Sequence, residues 1–255
     1  MDAARMASAE RLSELAELAR PVSLANEQAL PVLPALESVL PNGALQRGFT
    51  VMVQGGPGAS SLALALTAEA SRAGSWVAVV GIPSLGVASA AELGVVLERL
   101  VLIAPPPASL WPTVAAALID AFDVVLAGWP EVPGSMARRL GMRTRDRKAV
   151  LIPVAPILRS SWNEAADVRL TVKNASWQGL GAGYGRLSAR RMEVETAGRR
   201  SPLPYRTALW LPDDQGRVSV ETAQPIPFPA PAGGSAFSKP DDVSAGAVLP
   251  ALTSG

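Results

Sequence analysis

From residue 50 onward, short apolar runs alternate with stretches whose apolar positions recur at helical spacing, and glycine or proline stands at most junctions. The runs predict strands at 50–54, 76–82, 101–104, 123–127 and 150–154. The intervening patterns predict helices at 60–72, 90–100, 110–120 and 134–147. Near-continuous apolar strands that alternate with helices imply a mainly parallel sheet covered on both faces. Ligands of such sheets sit beyond the carboxyl ends of the strands. Beyond residue 155 the period changes to two, in 168–173, 187–196 and 207–211, which predicts an antiparallel extension. The run Gly179, Gly181, Gly183, Gly185 lies between two of these strands and opens no helix, so it reads as a loop and not as a dinucleotide fingerprint.

The ends differ from this middle. Leu12, Leu15 and Leu18 recur three apart with Glu10, Glu14 and Glu17 between them, predicting an N-terminal helix over 1–21 that Pro21 stops. It suits either a cap on the core or a partner-docking helix. Residues 22–222 form the expected core domain. Residues 223–255 are rich in Pro, Ala, Gly and Ser without apolar period, and read as a disordered tail.

Residues 50–66, TVMVQGGPGASSLALAL, have the strand, glycine turn and helix of a phosphate-binding loop. The pattern G-x-x-x-x-G-K-[ST] uses backbone N–H groups, a lysine and a magnesium-holding hydroxyl. Anchored on Gly58, it puts Ala59 at the lysine and Ser60 at the hydroxyl, and Val53 replaces the leading glycine. Gly55, Gly56, Gly58, Ala59, Ser60 and Ser61 are thus a degenerate nucleotide loop. Its plainer reading is a tight strand-to-helix turn. The strand DVVLA should end in the aspartate that helps to hold magnesium, yet Ala127, Gly128 and Trp129 stand there. Asp123 begins that strand, at the opposite end, and Glu131 lies beyond Pro130. Without the lysine and the aspartate, the main electrostatic term of phosphoryl transfer is lost. No catalytic residue and no cofactor is expected.

Composition narrows the classes further. The 255 residues are 49% apolar and 18% charged, with net charge +1, no cysteine and no histidine. A globular core is expected. Disulfides, thiolate or imidazole metal sites and a Ser-His-Asp triad are excluded. No apolar leader and no run of 18 apolar residues occurs, so neither secretion nor a membrane span is expected.

Charge is uneven. Between Arg138 and Arg200 stand 14 Lys/Arg against 5 Asp/Glu, a surplus of nine. Arg138, Arg139, Arg143, Arg145, Arg147, Lys148, Arg186, Arg190, Arg191, Arg199 and Arg200, with Trp177 and Tyr184 among them, are the candidate contacts. Basic and aromatic residues together suit single-stranded DNA. They equally suit an acidic protein surface, and the plain alternative is a solvated face.

Two runs carry a resemblance. LPNGALQRGFTVMVQGGPGASSLALALTAEASRAGSWVAVVG resembles the opening of the RecA core. ADVRLTVKNASWQGLGAGYGRLSARRMEVETAGR resembles RecA-related ImuA proteins, in particular the actinobacterial ImuA-prime branch, through Trp177, Gly179-Leu180-Gly181, Gly185-Arg186-Leu187, Arg190-Arg191 and Gly198-Arg199. The resemblance implies a RecA-like P-loop-type α/β core and an accessory role in damage-induced, error-prone translesion synthesis. It implies as partner an ImuB-like Y-family polymerase homologue, and through it a C-family polymerase and the sliding clamp. It also implies a cytoplasmic protein that joins the nucleoid on damage. The alternatives are a weak DNA-dependent ATPase and a cell-division inhibitor of the SOS response.

Overall fold

Alternate residues of each central strand go to opposite faces, and both faces find apolar partners. The structure is a computed structural model that describes residues 28–128, 132–155, 161–180 and 185–221. The expected N-terminal helix and C-terminal tail, and Trp129, Glu131 and Tyr184, lie outside those residues.

The described chain opens with a two-stranded antiparallel ribbon, β1 (Ala29–Leu30) and β2 (Leu45–Gln46), around the short helix α1 (Pro34–Glu37). Then come β3 (Val51–Gly55), α2 (Ala59–Arg72), β4 (Val77–Val80), α3 (Val87–Glu92) and β5 (Leu100–Ile103). These are followed by α4 (Trp111–Ala121), β6 (Val124–Gly128), α5 (Gly134–Arg147), β7 (Val150–Ala155) and α6 (Trp162–Ala165). Four strands close the described chain: β8 (Val168–Trp177), β9 (Arg190–Gly198), β10 (Ser201–Trp210) and β11 (Ser219–Val220).

One nine-stranded sheet has the order β11-β10-β9-β8-β3-β7-β6-β4-β5. From β8 to β5 all neighbours are parallel. From β8 to β11 they are antiparallel. The expected α/β sheet, mainly parallel with an antiparallel extension, is therefore present.

The pleat sorts the core. Val51, Val53, Val124, Leu126, Val150 and Ile152 face α2, whose alanines and leucines are buried nearly all round. Met52, Val125, Ala127 and Leu151 face α4 and α5, where Trp111, Ile119 and Leu140 cover them. Such a two-faced sheet needs uninterrupted apolar strands, and that is the pattern seen in the sequence.

Three expectations change. The helix expected at 90–100 is α3, which ends at Glu92 because Gly94 turns the chain with φ +88°; a 3-10 turn, Leu97–Arg99, leads into β5. Strands β8 and β10 run longer than the apolar alternation, because backbone pairing with β9 carries them over exposed positions, and β9 itself starts at Arg190 and not at the expected 187, where pairing with Trp177 begins. Residues 28–49, unassigned from sequence, hold α1 and the ribbon, whose two-residue strands are too short to show a period.

Candidate functional site

Strand β3 is the middle strand of the sheet and delivers the chain to its carboxyl edge at Gly55. The turn that follows is built for geometry. Gly55 has φ +112°, and a Cβ there would stand 2.3 Å from the Val172 carbonyl oxygen. Gly58 has φ +104°, and its Cβ would strike Met192 at 2.7 Å and lie 3.3 Å from the Arg190 guanidinium carbon. Backbone alone thus accounts for two of the loop glycines. Gly56 is different, since nothing lies within 4 Å of its Cβ position.

Two of the loop's hydrogen-bond donors are spent within the fold. Gly56 N–H donates to the Val172 carbonyl at 3.3 Å, and Ala59 N–H to the Gly56 carbonyl at 3.3 Å. Pro57 has no N–H. Among the described residues, only Gly58, Ser60 and Ser61 keep loop N–H groups without a backbone acceptor. A phosphate cradle needs several convergent donors and a cation, and Ala59 supplies no cation.

A groove of about 520 Å³ does open here, at the carboxyl ends of β3, β4, β6 and β7. Gly55 to Ser60 form one wall, and Gly81, Pro83, Gly128 and Ala155 line the other. The far wall has no room for a magnesium carboxylate. A Cβ on Gly128 would stand 2.4 Å from the Gly81 carbonyl oxygen, and one on Gly81 would stand 2.5 Å from the Gly128 oxygen. Ala127 points into the apolar layer under α4 and α5. The described residues that line the groove therefore do not fit a nucleotide-bound magnesium ion. Among the described residues, no group of three acidic or other metal-ligating side chains comes together elsewhere. Asp123, as expected, lies at the opposite end of the sheet. It accepts from Arg47 at 2.9 Å and from the Trp76 backbone N–H at 2.9 Å.

The basic candidates do not form one patch. Helix α5 starts at the carboxyl edge and descends, so Arg143, Arg145, Arg147 and Lys148 reach the amino edge of the strands. Arg199 and Arg200, at the far end of β9, join them there. Arg190 and Arg191 begin β9 and pair in register with Trp177 and Ser176, at the carboxyl edge. Arg186 stands in the same hairpin connection.

Most of these charges are already matched. Arg143 and Arg147 both bind Asp120, Arg138 approaches Glu164 at 3.9 Å, and Arg145 and Arg199 flank Asp167. Hydrogen bonding from Arg143 holds the Asp120 carboxyl below its ordinary value. Arg191 bridges Glu193 and Glu221. The Arg200 guanidinium lies over Phe49 at 5.5 Å. Among the described candidates, Arg139, Lys148, Arg186, Arg190 and Arg200 have no acidic partner. Asp120 and Asp167 each face two arginines and cancel only one charge apiece, so the surplus remains but is divided between the two edges of the sheet instead of gathered in one patch.

Asp167 was missed as a key residue. It is 3% exposed, accepts from the Thr50 N–H at 3.0 Å and from Arg199 at 3.1 Å, and ties the start of β8 to the start of β3. An acid directly before an alternating run was the one available sign.

No helix among the described residues is long and apolar enough to cross a membrane. A family model described as the MT3502 N-terminal domain matches residues 38–162. The chain is 32% identical over 151 residues to the uncharacterized protein Rv3395c of Mycobacterium tuberculosis (strain ATCC 25618 / H37Rv), an alignment that covers 56% of this chain and 71% of that protein.

Proposed function

The chain belongs to the family of the mycobacterial protein Rv3395c, and we propose that it acts as a non-catalytic, RecA-like accessory protein of an error-prone translesion synthesis complex. In this reading it belongs to the ImuA-prime branch and acts at the nucleoid after damage. It holds an ImuB-like Y-family polymerase homologue, and through it meets a C-family polymerase and the sliding clamp. The RecA-like reading of the core rests on the glycine turn between a central parallel strand, β3, and α2, and on the resemblance of residues 40–81 and 166–199 to that family.

The observation that carries the non-catalytic part is the Gly81–Gly128 contact opposite the loop. There the two backbones approach so closely that no side chain fits. With Ala59 at the lysine position as well, both charges that stabilise a transferring phosphoryl group are missing from the described lining of the groove. A RecA-type sheet without its chemistry still offers a rigid frame, and a frame is what an adaptor needs.

The direct test is association of the purified protein with an ImuB-like partner. The complex should form without nucleotide, and ATP should leave its Kd within twofold. Failure to associate in the presence or absence of ATP contradicts the adaptor role.

A further inference from the structure

Behind the glycine loop, on the side away from the groove, lies a second cavity of about 590 Å³. The first turn of α2 lines it through Ser61, the end of α3 through Glu92 and Leu93, and the antiparallel extension through Trp177, Arg190 and Leu211. Arg190 is 8% exposed. Its Nε donates to the Leu211 carbonyl at 2.8 Å, and its guanidinium carbon stands 5.0 Å from the centre of the Trp177 ring. No carboxylate among the described residues pairs with it. Its terminal nitrogens have no hydrogen-bond partner there. Burial pulls the guanidinium below its ordinary value.

A buried charge is normally matched. Arg190 is instead set beside another positive pole. Its guanidinium packs against Gly58, the residue that caps the amino end of the 14-residue helix α2. That end carries about half a positive charge and unfilled N–H groups. Gly58 and Ser60 line the groove, whereas Ser61 of the same turn lines this cavity with Arg190 and with Glu92, which makes no ion pair with Arg190. An anion set between Arg190 and Ser61 would satisfy the guanidinium and the end of the turn.

We infer that this cavity is a docking site for a carboxylate side chain of a partner protein, carried next to an apolar residue. Arg190 and the first turn of α2 would hold the carboxylate, and Trp177, Leu93 and Leu211 would hold the apolar neighbour. The lining decides between carboxylate and phosphate. Glu92 is already there, so a doubly charged phosphate meets more repulsion than a singly charged carboxylate. The apolar walls match an amino-acid neighbour. The site stands on its own geometry and does not depend on the mutagenesis role.

The test uses the full chain labelled with ¹⁵N. The Arg190 Nε–H signal is assigned by its loss in Arg190→Lys, and the Trp177 indole signal by its loss in Trp177→Phe. The probes are capped Asp-Leu dipeptide, capped Asn-Leu dipeptide, inorganic phosphate, a short oligothymidylate and sodium chloride. We expect the Asp-Leu peptide to shift both signals to saturation at millimolar concentration. The Asn-Leu peptide should bind at least tenfold more weakly. Should either variant fail to fold, its signal is assigned instead from through-space contacts in the wild-type protein, on which every titration is read. The inference is overturned if the shifts follow ionic strength alone, if no probe saturates, or if phosphate or the oligonucleotide binds more tightly than the Asp-Leu peptide. None of these results bears on whether the protein associates with an ImuB-like partner.

Discussion

A Cβ on Gly128 would stand 2.4 Å from the Gly81 carbonyl oxygen, so the end of β6 is closed to the side chain that magnesium would require. Gly128→Asp is the variant that should restore chemistry if only the missing acid mattered. We expect it instead to cost about 1–3 kcal/mol of stability by overpacking, measured by urea unfolding, and to yield no phosphate release above background, alone or with Ala59→Lys. Turnover in the double variant would show that the groove is competent apart from two side chains. Asp167 makes a different point. Removing its carboxylate in Asp167→Ala leaves the buried Thr50 N–H without its acceptor, and urea unfolding should show a loss of about 1–3 kcal/mol. The loss should be far smaller for Glu164→Ala, whose carboxylate is exposed. The missing lysine and aspartate were legible from the sequence. The role of Asp167 was not, because its partners Arg145, Arg199 and Thr50 come from three separate elements.

At the scale of elements, the alternation of strands and helices from β3 to β7 was legible because each strand is buried on both faces and is therefore apolar throughout. The outer halves of β8 and β10 carry no such mark, since pairing with β9 and not burial makes them strands. Charge in space was the least legible feature. Asp120, Asp167 and Glu221 each draw arginines from other elements, which a count along the chain cannot foresee. The Arg191 clip on the antiparallel extension gives a pH prediction. Hydrogen bonding from Arg191 holds the Glu221 carboxyl below its ordinary 4.5, and hydrogen bonds from Asn174 and Arg191 do the same for Glu193. Carboxylates lowered in the folded state stabilise it fully above their unfolded value, and that contribution is lost as pH falls through the folded one. Stability should therefore fall as the pH drops below 4.5. Glu221→Gln should lower stability at neutral pH and flatten the fall. An equally steep acid limb in Glu221→Gln, followed by urea unfolding at a series of pH values, would remove the clip from the account.

For the whole molecule, the nine-stranded sheet has two unlike ends. The carboxyl edge holds the uncharged groove and, behind it, the cavity of Arg190 and Trp177. The amino edge holds Lys148 and Arg200, without acidic partners among the described residues, beside arginines that are already matched. If single-stranded DNA is a ligand, the unmatched cations should carry it. Lys148→Ala with Arg200→Ala should then weaken oligothymidylate binding and lower its salt dependence. Arg143→Ala, which breaks an internal pair, should do so much less. Equal effects from both changes, read by fluorescence anisotropy across salt concentrations, would argue that the amino edge is only a solvated face.

The central claim is a mutagenesis factor that needs no nucleotide chemistry. Its most direct measurement is the frequency of mutations induced by ultraviolet damage, in cells with the gene deleted and then restored with the native chain or with an Ala59- and Ser60-altered copy. The account predicts that induced mutagenesis collapses on deletion and returns with both copies. Unchanged mutagenesis on deletion would contradict the proposed role, and restoration by the native copy alone would contradict its non-catalytic character.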